Sequence, residues 1–222
     1  MDIAGGQIQG ARRRQEDAFA IEALADGARL ALVADGLGGL PAGDVASREA
    51  SAEFVRVVRE QAGARQGQAP DWMRNAVREA DAHLQRRQGS APELAGMSTT
   101  IVALYASGSN ACAISVGDSY LMLLRKGMLY VLNDLHREGS ALTSCLGAQL
   151  RQVWELDALK IEPGDRILLA TDGITTLAEA TIKDRVAGAS NAQQAVDAVL
   201  RAIEDAMTMH QDNATVIAMI VP

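Results

Sequence analysis

The sequence predicts an α+β domain whose strands pair mostly antiparallel, and three observations carry that prediction. Strand-like segments come in runs and do not alternate strictly with helices. Helical spacing is confined to paired stretches, 45–61 with 70–88 and 181–187 with 191–207. The chain of 222 residues, 48% apolar and 22% charged, is long enough for one full hydrophobic core, and one domain over 1–222 is the natural count.

In chain order, residues 7–14 form a first strand carrying three successive arginines, Arg12, Arg13 and Arg14, a pattern usual for a solvated face. Residues 18–24 alternate as a second strand, and Asp26-Gly27 turns the chain into 30–34, an apolar run that reads as a buried strand. That strand stops abruptly at Asp35-Gly36, and five of the residues from 36 to 43 are glycine or proline. An acidic side chain thus ends a rigid strand, where the backbone is free to approach an ion closely. By itself Asp-Gly is also an ordinary turn signal.

Over 45–61, Val45, Ala46, Phe54, Val57 and Val58 share one helical face, and 63–69 is a polar loop. Pro70-Asp71 opens a second helix reaching about residue 88, with Trp72, Met73, Ala76, Val77, Ala80 and Leu84 apolar at helical spacing and His83 at its boundary. From Met97 the texture changes to strands at 99–105, 111–116, 120–124 and 128–132, separated by turns such as Lys126-Gly127. Strands at 151–156 and 166–170, the second pair of helices and an apolar strand over 213–221 complete the chain.

Composition excludes several functions. Net charge is −7 and the pI is near 5.0, which argues against nucleic acid or an anionic membrane as partner. Aromatics are 3%, too few for base-stacking surfaces. No apolar run approaches the ~18 residues of a membrane span, and the N-terminus lacks a basic, then apolar, leader, so the expected location is the cytoplasm. Cys112 and Cys145 lie in apolar segments without CxxC spacing and read as buried free thiols.

The Asp35 device recurs. Residues 167–171 end in Asp172-Gly173, 113–116 end in Gly117-Asp118, and Asp212 and Asp17 stand at the heads of strands. If those ends converge, the like charges cannot all stay ionised without a cation. Carboxylates without His or Cys nearby select a hard ion, Mg²⁺, Mn²⁺ or Ca²⁺, and the scattered ligands disfavour a calcium loop. Carboxylates from different strands are a usual construction of a two-metal hydrolytic centre, in which bound water becomes the nucleophile. The chain has no GxSxG and no Walker-A sequence to suggest otherwise.

Nearly the whole chain resembles the metal-dependent protein phosphatases, the PPM or type 2C serine/threonine family. The matching residues run in order: Gly10-Ala11-Arg12 with Glu16-Asp17, then Val33 to Gly36 and the glycines after it, then Gly43 to Ser47. They continue with Gly96 to Thr100, Val116 to Ser119, Leu142-Thr143 with Leu146-Gly147, Ala170 to Gly173, and Asp212 to Val216. The resemblance implies two antiparallel sheets in a central sandwich, flanked on each side by a helix pair. It implies a minimal, monomeric, bacterial-type enzyme that hydrolyses phosphoserine and phosphothreonine in proteins phosphorylated by a serine/threonine kinase, without a phosphoenzyme. Asp35 then bridges two Mn²⁺ or Mg²⁺ ions and Gly36 gives its carbonyl to one. Asp172 and Asp212 bind the other, and Asp17 joins directly or through water. Asp118 with Asp172 matches a third-metal site of bacterial members, and Arg12 the phosphate-binding arginine.

Departures from the family pattern are specific. Gln15 replaces a common Asn, Leu40 a common His in the turn, and Tyr120 an Arg that often follows Gly-Asp-Ser. Leu37 stands where eukaryotic members carry a His proposed as general acid. Only 135–141 separate Asp134 from Leu142, so the longer flap of most relatives is reduced, and the segment is expected to make no more than a turn.

Overall fold

The computed structural model describes residues 1–25, 27–37, 42–64, 68–206 and 208–222. The Gly38-Gly39-Leu40-Pro41 turn, Asp26, the middle of the 63–69 loop and Met207 at the expected end of the last helix fall outside the described residues.

Two five-stranded antiparallel sheets form the centre. β1 (Asp2–Ile8), β12 (Ala214–Ile220), β11 (Arg166–Ala170), β6 (Tyr120–Arg125) and β7 (Met128–Val131) lie in that order in one sheet. The other runs β10 (Trp154–Lys160), β5 (Asn110–Val116), β4 (Ile101–Ser107), β3 (Arg29–Asp35), β2 (Asp17–Ala23). A two-stranded hairpin, β8 (Arg137–Glu138) with β9 (Ala141–Leu142), stands apart. α1 (Gly43–Ala64) and α2 (Ala69–Ser90) cover the second sheet, and α3 (Glu179–Ala187) and α4 (Ala192–Asp205) the first.

Three apolar layers hold these together. Phe54, Met73 and Leu84 of α1 and α2 pack on Leu30, Leu32, Ile101 and Ile114 of the second sheet. Val196, Val199 and Ile203 of α4 pack on Val216, Ala218 and Leu168. Between the sheets lie Val33, Leu104, Leu121, Leu169, Ile217 and Met219. Alternation along β3, β4 and β12 thus serves both faces of each sheet, which is why these strands read as continuous apolar runs. Asn191 caps α4, its Oδ1 accepting the Gln194 N–H at 2.8 Å. Both cysteines are free and buried, as expected. Among the described residues no helix is long and apolar enough to cross a membrane.

Three elements differ from the sequence reading. The first strand is Asp2–Ile8, not 7–14. It pairs with β12 along its whole length, and Gly5, a poor strand residue, leaves room for the Phe19 ring, which a Cβ there would meet at 2.8 Å. The arginine run falls in the irregular connection after it, because Asn213 Nδ2 donates to the carbonyls of Gln9 (2.8 Å) and Arg14 (2.9 Å) and holds that connection closed. The strand expected at 151–156 is displaced to Trp154–Lys160. Ser144 Oγ accepts the N–H groups of Arg151 and Gln152 at 3.1 and 3.0 Å, taking them out of any ladder. The 135–141 segment is more than a turn, since it contributes the β8–β9 hairpin.

Candidate active site

Strand registers bring the predicted aspartates to one end of the sandwich. Asp17 at the head of β2 pairs directly with Asp35 at the end of β3. Ala170 at the end of β11 pairs with Tyr120 at the head of β6 and with Val216 of β12. Asp118, Asp172 and Asp212 therefore sit in the connections at that same end: before β6, after β11 and before β12. Asp172 opens a short 3₁₀ turn, Asp172–Thr176.

Asp17 is the buried centre of the group. Its Oδ2 accepts the hydroxyls of Thr171 (2.8 Å) and Thr215 (2.7 Å). Its Oδ1 is buried without a hydrogen-bond partner. A buried acceptor left unpaired in this way costs free energy, and a cation is one group that satisfies it. Burial is the main force raising the Asp17 carboxyl to about 6. The two threonines oppose it, and Asp172 and Asp212 reinforce it. Asp35 is pushed well above the usual carboxylate range, by burial first and then by Asp17, Asp172, Asp212 and Asp118. Asp172 is raised to about 6 by burial, Asp118 and Asp212, against a hydrogen bond with Asp35 and the charge of Arg137. Burial also raises Asp118, again opposed by Arg137.

The backbone around Asp35 is held from several sides. Its N–H donates to Thr100 Oγ1 at 3.0 Å, and its carbonyl accepts the Thr100 N–H at 2.9 Å and the Thr99 hydroxyl at 2.8 Å. Gly36 N–H donates to the Glu16 carbonyl at 3.1 Å, which also accepts the Ser47 hydroxyl at 2.6 Å. A Cβ on Gly36 would stand 2.1 Å from the Gly43 carbonyl oxygen, so only glycine fits. Thr100 Oγ1 also bonds Ser119 Oγ at 2.8 Å, tying the Asp35 end of β3 to the Asp118 loop.

Arg12 projects from the connection after β1 and forms an ion pair with Asp212, its side chain 45% exposed. That connection is fixed by Asn213, whose Oδ1 accepts the Glu16 N–H at 2.9 Å, and by Ala11 N–H donating to the Gln211 carbonyl at 2.8 Å. Arg12 is thus delivered to the acidic end by a loop with no periodicity of its own.

Sequence reasoning missed three contributors. Asn133 accepts the Leu121 N–H at 2.8 Å and donates to the Ser119 carbonyl at 2.8 Å, bracing the Asp118 loop. His136, 7% exposed, accepts the Gly117 N–H on Nδ1 at 3.1 Å, and burial lowers its pKa. Arg137 reaches the Tyr120 hydroxyl at 3.5 Å and carries positive charge toward Asp118 and Asp172. The last two lie in the 135–141 segment, and their only signal was a His-Arg pair 19 positions after Gly117-Asp118.

Among the described residues no three His, Cys, Asp or Glu side chains form a ready ligand cage. Two features nonetheless suit a hard cation: the orphaned Asp17 Oδ1 and an all-oxygen donor set.

The chain belongs to the protein phosphatase 2C family, whose model matches residues 8–214, and is accordingly a hydrolase of the serine/threonine protein phosphatase class. Serine/threonine phosphatase stp of Listeria monocytogenes is 26% identical over 196 residues, covering 79% of this chain and 78% of that protein. The Mycobacterium tuberculosis serine/threonine phosphatase PstP/Ppp superposes with a TM-score of 0.80 at 25% identity, covering 99% of this chain and 98% of that structure. Stp1 from Staphylococcus aureus gives a TM-score of 0.85 at 21% identity over 100% of this chain and 96% of that one, a likeness of fold alone.

Proposed function

We propose that this chain is a metal-dependent phosphatase acting on phosphoserine and phosphothreonine in proteins. The observation that carries the reading is the buried, unpartnered Asp17 Oδ1 among Asp35, Asp172 and Asp212, at the end of the sandwich where Arg12 arrives.

Asp35 and the Gly36 carbonyl would hold one of two ions, with Asp35 shared. Asp172 and Asp212 would hold the other, Asp17 joins directly or through water, and Asp118 with Asp172 could take a third. Bound there, Mn²⁺ or Mg²⁺ supplies positive charge to the phosphoryl oxygens and acidifies the water that attacks phosphorus. Arg12 grips two phosphoryl oxygens with its planar fork, exchanging Asp212 for the substrate. Thr171 and Thr215 hold Asp17 by one oxygen and leave the other buried without a partner.

Direct attack by water, with no phosphoenzyme, is supported by the poor nucleophilicity of both cysteines and of His136. Cys112 is buried, and burial pushes its thiol up to about 12; Cys145 is raised by the same cause. His136 already uses Nδ1 as an acceptor for Gly117. The enzyme is read as a cytoplasmic monomer, a single domain over 1–222 with a reduced flap, acting on substrates of a serine/threonine kinase.

The test is hydrolysis of p-nitrophenyl phosphate and a phosphothreonine peptide after chelation and metal replacement. Activity should vanish in chelator and return with Mn²⁺ or Mg²⁺ but poorly with Ca²⁺, which prefers a larger and looser oxygen shell. Full activity in excess chelator would end the proposal.

A further inference from the structure

Beside the acidic end lies an open groove of about 290 Å³. Tyr120, Met122 and Val131 of β6 and β7 form one wall, and Ile174, Leu177 and Ile182, from the turn after Asp172 and from α3, form the other. Met122 and Val131 are cross-strand partners, so their side chains share the face of the sheet that α3 only partly covers. Val131 is left 42% exposed. Glu179 is the one charged residue among the described lining residues.

Two lining residues stand close along the chain to candidate site residues. Tyr120 lies two residues after Asp118, and Ile174 two residues after Asp172. Two residues of chain span at most about 7 Å between Cα atoms. The Tyr120 hydroxyl meets Arg137 at 3.5 Å, on the side from which Arg137 acts on Asp118 and Asp172. The near end of the groove is therefore within one or two residues' reach of a phosphate held at the acidic end.

We propose that the groove between Tyr120, Val131 and Leu177 is a substrate subsite for one aliphatic side chain next to the phosphorylated residue. The inference rests on the phosphatase reading. Its volume, at the lower edge of the range for small-ligand pockets, has room for a single side chain. Its lining rewards burial of apolar surface, and Glu179 at the rim disfavours an acidic neighbour. The reduced flap leaves substrate recognition to surfaces such as this one. Because the groove is open, the expected preference is modest, about three- to tenfold in kcat/KM.

The test uses the full chain with Mn²⁺ and matched phosphothreonine peptides carrying Leu, Gln or Glu at the two positions on either side of the phosphoresidue. At one of these positions Leu should exceed Gln by about three- to tenfold, with Glu lowest. Val131→Glu, on an exposed edge strand, should abolish the Leu preference and leave turnover of p-nitrophenyl phosphate unchanged; Leu177→Gln should do the same. Leu and Gln peptides of equal kcat/KM at all positions would overturn the subsite, as would a preference that survives both substitutions. Failure of the wild-type enzyme to hydrolyse p-nitrophenyl phosphate with Mn²⁺ would overturn the phosphatase reading itself, and the subsite with it.

Discussion

Replacing Asp17 by asparagine measures what the carboxylate cluster costs the fold. Asp17 is 5% exposed, and burial, followed by Asp172 and Asp212, moves its carboxyl from 3.8 to about 6 in spite of two threonine hydrogen bonds. A rise of about two units corresponds to on the order of 3 kcal/mol. A carboxyl whose folded value exceeds its unfolded value favours folding in the neutral form. Its contribution is complete below about 3.8 and is lost as pH rises through about 6. Asp17→Asn keeps an oxygen for the Thr171 and Thr215 hydroxyls and carries no charge at any pH. In chelator at about pH 7.5, the variant should exceed wild type by on the order of 3 kcal/mol, or ~6–12 °C in Tm for a chain of this size. Near pH 4 the two should nearly coincide. Excess Mn²⁺ should reverse the order, because wild type then gains binding energy that the variant lacks. Thermal and denaturant unfolding followed by circular dichroism, at both pH values, with chelator and with Mn²⁺, reads all of this. A variant no more stable than wild type at the higher pH, or one displaced equally at both, would refute the argument that Asp17 is ionised there against burial and like charge.

Five other substitutions separate the roles of individual residues. Arg12→Ala should lower kcat/KM about tenfold to a hundredfold, the loss of hydrogen bonds to a charged group worth ~1.5–3 kcal/mol, whereas Arg13→Ala should leave it unchanged. Equal losses at the two positions in steady-state assays would mean that the arginine is misassigned. Gly36→Ala would set a Cβ 2.1 Å from the Gly43 carbonyl oxygen and 2.7 Å from that of Glu16, so it should cost at least ~1–3 kcal/mol and abolish metal-dependent activity. Gly63→Ala, in α1 with nothing within 4 Å, should stabilise by up to ~1 kcal/mol in the same denaturant titration. His136→Ala strips the Gly117 N–H of its buried acceptor and should cost ~1–3 kcal/mol by denaturant unfolding, with no loss marking the bond as unimportant.

The sequence made strands and helices legible where one physical demand dominates. β11 and β5 could be read almost to the residue because both faces of each strand are buried, and α1 and α2 because one face of each is. Legibility failed where a polar side chain outside the segment overrides local preference. Ser144 removes Arg151 and Gln152 from β10 by accepting both N–H groups, and Asn213 closes the arginine loop from almost 200 positions away. Neither act leaves a periodic trace.

The site divides along the same line. Asp35 and Asp172 stood out because an apolar strand that ends in Asp-Gly is a local pattern; register pairs Asp35 with Asp17, and packing of one sheet on the other brings in Asp172. Arg12 has no such pattern; only the family resemblance lifted it out of a run of three arginines. His136 and Arg137 were passed over because their meaning depends on where a short hairpin folds back. His136 pins that hairpin to Gly117 by two hydrogen bonds, its Nδ1 accepting at 3.1 Å and its own N–H donating to the Gly117 carbonyl at 2.9 Å. The consequence is chemical as well as structural. With Tyr120 in place of the arginine expected after Gly-Asp-Ser, positive charge at the Asp118 and Asp172 end comes from Arg137 in the adjoining hairpin. The Arg137 guanidinium follows directly after the pinned His136, so its place at the acidic end is set by the Gly117 contacts.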